Sequence, residues 1–188
     1  MNGVNHMSTT KNQKINKLVL TAVFSVLICV LTMYPKLPVP LANGGYIHMG
    51  DALIIVSAFI LSPAHAVIAA GVGSMLADFF SGYAIYMPAT LIIKAVVALV
   101  AALMFKALRD KKEKLFLLLL VATVSELIMV LGYFLFECVL YGVGSALVAA
   151  AFNLVQAASG IILGAIIIKI ISKNKSLNKL LLLDGENK

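Results

Sequence analysis

Charge is scarce in this sequence. Of 188 residues only 12% are Asp, Glu, Lys or Arg, about half of what the surface of a water-soluble domain carries, and a soluble fold is excluded on that ground. Cysteine is almost missing. Cys29 and Cys138 stand in separate apolar runs, with no CxxC or Cys/His spacing, so neither zinc nor redox chemistry is indicated. There is no HExxH, no paired aspartates of the intramembrane-protease kind, and no Ser/His/Asp or Cys/His set at one depth. Asn43-Gly44-Gly45 lacks the GK[ST] ending of a nucleotide-binding loop. The expectation is a protein that is no enzyme, needs no cofactor or metal, and draws any energy from elsewhere.

What is abundant is apolar side chain, 62% of the chain, with a mean hydropathy of +1.03. Crossing ~30 Å of hydrocarbon takes about 20 helical residues, so a chain of this length holds six spans at most. The runs are 17–33, 49–61, 64–80, 86–105, 115–141 and 146–171. They are separated by the Pro-rich 34–40 segment with Asn43-Gly44-Gly45, by Ser62-Pro63, Ser81-Gly82, the charged 109–114 stretch and Gly142-Val143-Gly144. The fold expected is an all-α membrane protein of six transmembrane helices, with a membrane domain at 17–171 between tails 1–16 and 172–188. The second run is short and ends at Pro63, which suits a tilted or partial crossing. The first follows Lys11, Lys14 and Lys17 as a signal peptide would, but no small-x-small site follows it, so it reads as a retained span.

The net charge of +7 sits in short clusters beside apolar runs, which marks topology rather than nucleic-acid binding. The N-terminal tail, the 106–114 stretch and the C-terminal end hold 13 of the 15 Lys and Arg. Both termini are therefore expected in the cytoplasm, in a multi-pass membrane protein.

Ionisable groups inside spans cost ~2.5–3.5 kcal/mol each on insertion and are functional candidates by default. Asp51 opens the second run, Asp78 closes the third, Lys94 lies midway along the fourth, and Glu126 and Glu137 lie on the fifth. Glu126, Tyr133 and Glu137, seven and four residues apart, form one stripe that should face protein. Asn153 and Gln156 share a face of the sixth. With Tyr86, and with Tyr46 and His48 in the external loop as a cover, these residues describe a polar pocket near the outer face. Aromatic walls and amides suit a planar heteroaromatic, and the excess of carboxylates favours a neutral or cationic one. Blander roles compete: Asp78 and Lys94 as an ion pair, Asn153 and Gln156 as interhelical glue, Asp51 as a helix cap. Glu126 is left between a proton site and a structural hydrogen-bonder.

The stretch Gly50-Asp51, 62–78 (SPAHAVIAAGVGSMLAD), Ser81-Gly82-Tyr83, Pro88-Ala89-Thr90, Ile92-Ile93-Lys94 and the later Phe152-Asn153-Leu154-Val155-Gln156 resembles the substrate-binding S components of energy-coupling factor (ECF) vitamin transporters. It is most similar to their riboflavin-type family, which includes proteins assigned to pyridoxine and hydroxymethylpyrimidine. The resemblance runs from 17 to 171. It departs at Ser62, Ala66 and Ala70, where the family commonly has Gly, which implies looser packing of the third helix.

The resemblance implies six helices, one vitamin bound near the outer face, and assembly with a transmembrane coupling protein and two cytoplasmic ATPase subunits. It implies that Thr21, Ala22 and Ser25 occupy the first-helix motif contacting the coupling protein, and that the whole S component topples to deliver its ligand. The expected site has Asp78, Lys94, Glu137, Asn153 and Gln156 as hydrogen-bonding groups, Tyr86 and Tyr133 as ring walls, and the Tyr46/His48 loop as lid. A B6 vitamer or hydroxymethylpyrimidine is favoured over riboflavin as substrate of this ABC-type importer. The alternative is a stand-alone proton-coupled carrier of a small heteroaromatic, titrating at Glu126 and Asp78, against which the weak internal symmetry argues.

Overall fold

A computed structural model describes residues 3–38, 46–108 and 114–177. Helix α1 runs Gly3–Met33, followed by short strands β1 (Lys36–Pro38) and β2 (Tyr46–His48). Then come α2 (Gly50–Ile60), α3 (Pro63–Ser81), α4 (Met87–Ala107) and α5 (Lys114–Lys173). The strands pair antiparallel, Lys36 opposite His48 and Pro38 opposite Tyr46. The expected Asn43-Gly44-Gly45 turn, residues 109–113 of the basic stretch and the last eleven residues lie outside the described residues.

Backbone chemistry sets the breaks. Pro63 opens α3 from an extended Ser62, because proline's missing N–H is no loss in a first turn. That helix ends on Gly82 in the left-handed region, with the Tyr83 N–H bonding back to the Asp78 carbonyl at 2.9 Å. In α5 the break is one residue, Gly142, at φ 81° and ψ 163°. Only glycine takes that φ without strain. The two halves of α5 then lie side by side, since Gly160 on the second packs against Glu126 on the first. Each half exceeds the ~20 residues a bilayer crossing takes.

Among the described residues, α1, α3, α4 and α5 are long and apolar enough to cross a membrane. Their outer faces carry large apolar side chains in the open: Leu127, Leu131, Leu135 and Val139 follow one another at every fourth position of α5. Water would not tolerate that stripe, and lipid does. The chain is a membrane protein.

Helix α2 is the opposite case. Its eleven residues rise only ~16 Å, and all but Phe59 are buried. It is therefore a central half-length helix walled by protein, which explains why its hydropathy pattern is uniform. The first apolar run lies in α1, which is helical from Gly3, and its candidate membrane span is Ile15–Met33. Against α3 it packs closely, for a Cβ at Gly73 would fall 2.5 Å from the Ser25 carbonyl oxygen. The Ala66 and Ala70 methyls are likewise fully buried.

Candidate functional site

Where α2 begins, four elements converge. Met49 occupies the cap position and supplies no side-chain bond, so Asp51 is not a cap. Its carboxylate is wholly buried and doubly engaged. Oδ1 accepts from the Lys94 ammonium of α4, and Oδ2 accepts from Gln156 Nε2 at 2.6 Å. The Gln156 carbonyl in turn accepts the His48 backbone N–H at 3.2 Å, which fixes the amide's orientation. His48 Nδ1 accepts the Gly50 N–H at 3.1 Å, meeting one of the donors a helix start leaves unpaired. Gly50 has no room for a side chain: a Cβ there would come 2.0 Å from Thr32 Oγ1 of α1.

The ion pair is expensive in isolation. Removing two charges from water costs several kcal/mol per ion, and their attraction offsets this only when further hydrogen bonds satisfy both groups. Gln156 does so for Asp51. The Lys94 ammonium also stands 5.4 Å from the Tyr133 ring centroid, within cation–π range. His48, in the strand outside the spans, has its pKa drawn down to about 4 by burial, with Lys94 adding to the fall and Asp51 opposing it. Its ring is neutral at physiological pH, as an acceptor at Nδ1 requires.

Toward Gly142, α4 and the first half of α5 are laddered. The Tyr86 hydroxyl donates to Glu137 Oε1 at 3.3 Å, and the Tyr133 hydroxyl donates to Thr90 Oγ1 at 3.0 Å. Positions 86, 90 and 94 repeat every four residues, so all three point at α5 from one face. Phe136 packs edge-on to Tyr86, centroids 5.5 Å apart. The arrangement is a short polar column with aromatic sides that leads along α4 to the Asp51–Lys94–Gln156 cluster.

Of the residues singled out in the sequence, Lys94 and Gln156 meet on Asp51, and His48 bonds to Gln156. Tyr86, Tyr133 and Glu137 form the rungs beside them. The Glu126/Tyr133/Glu137 stripe does face protein: both glutamates are buried. Asp78 is buried near the end of α3, but the ion pair considered between it and Lys94 is replaced by the one with Asp51, which starts at the depth of Lys94 because α2 is short. Asn153 is half-buried, one turn from Gln156, with no hydrogen bond among the described residues. Tyr46 belongs to β2, and its side chain lies outside what is described.

The Thr21, Ala22, Ser25 triplet does not form one outward patch. Thr21 is buried, with its hydroxyl bonded to the Lys17 carbonyl at 2.7 Å. Ser25 bonds back to the Thr21 carbonyl at 3.0 Å and lines the α3 contact, and Ala22 alone is exposed. The residues missed as site members are Asp51, left open between ligand and cap, and Thr90. Thr90's spacing of four from both Tyr86 and Lys94 was the available signal.

The fold is a helical membrane bundle with a buried polar cluster at the start of a half-length central helix. In the solved S component of a bacterial ECF transporter the same fold recurs, at TM-score 0.67 and 21% identity, covering 85% of this chain and 97% of that one. Residues 12–173 match the family described as ECF-type riboflavin transporter, S component, and the chain belongs to that family. Among curated relatives it is 36% identical over 137 residues to an uncharacterised protein of Pyrococcus woesei, covering 73% of this chain and 88% of the relative. It is 31% identical over 173 residues to the thiamine precursor transporter HmpT of Lactococcus lactis subsp. cremoris, covering 92% and 97%. The chain is thus a component of a vitamin-type transporter and not an enzyme.

Proposed function

We propose that this chain is the ligand-capturing S component of an ECF importer for a small heteroaromatic vitamin or precursor, with a hydroxymethylpyrimidine first in preference. The observation that carries the reading is the buried Asp51–Lys94–Gln156–His48 cluster under the Tyr86/Tyr133/Phe136 wall. A planar ring fits between aromatic sides, and fixed polar groups read its heteroatoms. The near-full-length similarity to a thiamine precursor transporter supports a pyrimidine over a tricyclic ring.

In this reading the six helical rods lie in a prokaryotic cytoplasmic membrane with both termini inside, α2 passing only part of the way. The column opens outward, the β1–β2 segment covers it, and Asp78, Glu137 and Asn153 complete the polar lining. A transmembrane coupling protein and two ATPase subunits supply the energy, and Ala22 is the member of the α1 triplet that meets the coupling protein. The test has two parts. Mass spectrometry of the purified protein identifies a ligand carried through purification. Uptake in a transport-deficient host is then measured with and without co-expressed coupling and ATPase subunits. Uptake by this chain alone would support a stand-alone carrier instead.

A further inference from the structure

Among the described residues, Glu126 is the one fully buried charged group that the site above leaves without a task. It lies on the first half of α5 with no solvent exposure, and neither carboxylate oxygen has a hydrogen-bond partner among the described residues. Lys94 already serves Asp51, and both Asp51 oxygens are engaged. Two acceptors on one buried carboxyl with nothing donating to them are costly, and more so when charged.

The surroundings say what would satisfy them. The position a Cβ would take at Gly160 lies 3.1 Å from Asp51 Cβ and 3.4 Å from Glu126 Oε1. Two carboxyl side chains from different helices therefore flank a single glycine. Counting formal charge, Asp51 and Glu126 face one lysine, so the matching ligand edge is rich in N–H donors and neutral or positive, not a carbonyl or phosphate. On the proposed reading, which this step rests on, the ligand is a heteroaromatic ring. An amino substituent is the donor such a ring can offer.

We infer that Glu126 is the specificity-determining acceptor of the site, selecting a ring that carries an exocyclic amine over one that carries a carbonyl at the same position. An amine donates to the carboxyl oxygens; a carbonyl sets lone pair against lone pair. Glutamine is nearly isosteric with glutamate but brings an N–H₂ group that can meet a carbonyl, so Glu126→Gln reverses the chemistry without changing the volume.

The experiment measures affinities of the purified wild-type chain, Glu126→Gln and Gly160→Ala for an aminopyrimidine and for its oxo analogue, with thermal unfolding as a control for folding. The wild type is expected to favour the amino ring by at least about tenfold, in line with one buried hydrogen bond lost. Glu126→Gln is expected to narrow that ratio by about the same factor while still binding the oxo ring. Gly160→Ala, which crowds the gap from the opposite side, is expected to weaken the amino ring most. An unchanged amino-to-oxo ratio in folded Glu126→Gln, or full amino-ring affinity in folded Gly160→Ala, overturns the inference and leaves the site reading intact. A wild type that binds neither ring overturns the pyrimidine reading, and this assignment with it.

Discussion

Lys94 and Asp51 meet from α4 and α2, 43 positions apart in sequence, and both side chains are completely buried where they touch. The contact ties the short central helix to the wall of the bundle. It also fixes the depth at which α2 begins, because a buried charge must stay with its counter-charge.

Removing either partner alone strands the other. Asp51→Leu or Lys94→Met should each cost about 3–5 kcal/mol of stability, whereas the two together should cost clearly less than the sum of the single losses. Thermal unfolding in detergent of the singles and the double closes the cycle. Strict additivity would show that the two residues act independently.

Gly50 and Gly73 should respond differently to alanine. At Gly50 the worst obstacle is the Thr32 hydroxyl, with His48 Nδ1 and Thr32 Cβ close behind, so Gly50→Ala should destabilise by about 1–3 kcal/mol and recover in part when combined with Thr32→Ala. At Gly73 the obstacle is the Ser25 backbone carbonyl, which no side-chain change removes. Gly73→Ala should therefore stay destabilised when combined with Ser25→Ala. Melting temperatures of the four variants decide between the two behaviours.

His48 should confer acid sensitivity. Its folded pKa is about 4 against an ordinary 6.5. As pH falls from 6.5 toward 4 the unfolded chain takes up a proton that the folded chain refuses, and stability drops across that window. His48→Asn, which keeps an acceptor for the Gly50 N–H, should remove that part of the pH dependence. Unfolding followed from pH 7 to pH 4 tests it, and an identical profile in the variant would contradict the assignment.

The rungs of the ladder should differ in their effect on binding. Tyr133→Phe removes the bond to Thr90 but keeps the ring beneath Lys94, so about 1 kcal/mol of stability should go while ligand affinity changes less than about threefold. Lys94→Ala should lower affinity by at least about tenfold. Calorimetric titration with the ligand found by mass spectrometry makes the comparison.

Much of the bundle could be read from backbone breakers. Pro63, Gly82 and Gly142 end or bend helices for local reasons, and local reasons are visible in a sequence. The Glu126/Tyr133/Glu137 stripe followed from helical period alone. The partner of Lys94 did not, because hydropathy marks that a segment is apolar but not how deep it starts. The choice of Asp51 follows from α2 being a half-length helix inside protein. Asn153 and Gln156 share a face by spacing, yet three residues turn a helix ~300°. One amide can therefore point inward while the other lies at the edge, and which does so is decided by the neighbouring helix. Thr21 and Ser25 read in the sequence as small residues that let another helix approach, and their hydroxyls are bonded to the helix's own carbonyls, which spacing alone does not show.

The turn at Gly142 has a mechanical consequence. Helix resumes immediately after it, so the hairpin has no slack, and the phase of its return arm is set by counting residues. One extra amino acid just beyond the bend would rotate everything downstream by ~100°, swinging Gln156 off Asp51 and Gly160 off Glu126 in a single step. The hairpin is thus a gauge: its length, as much as its side chains, decides whether Gln156 reaches Asp51.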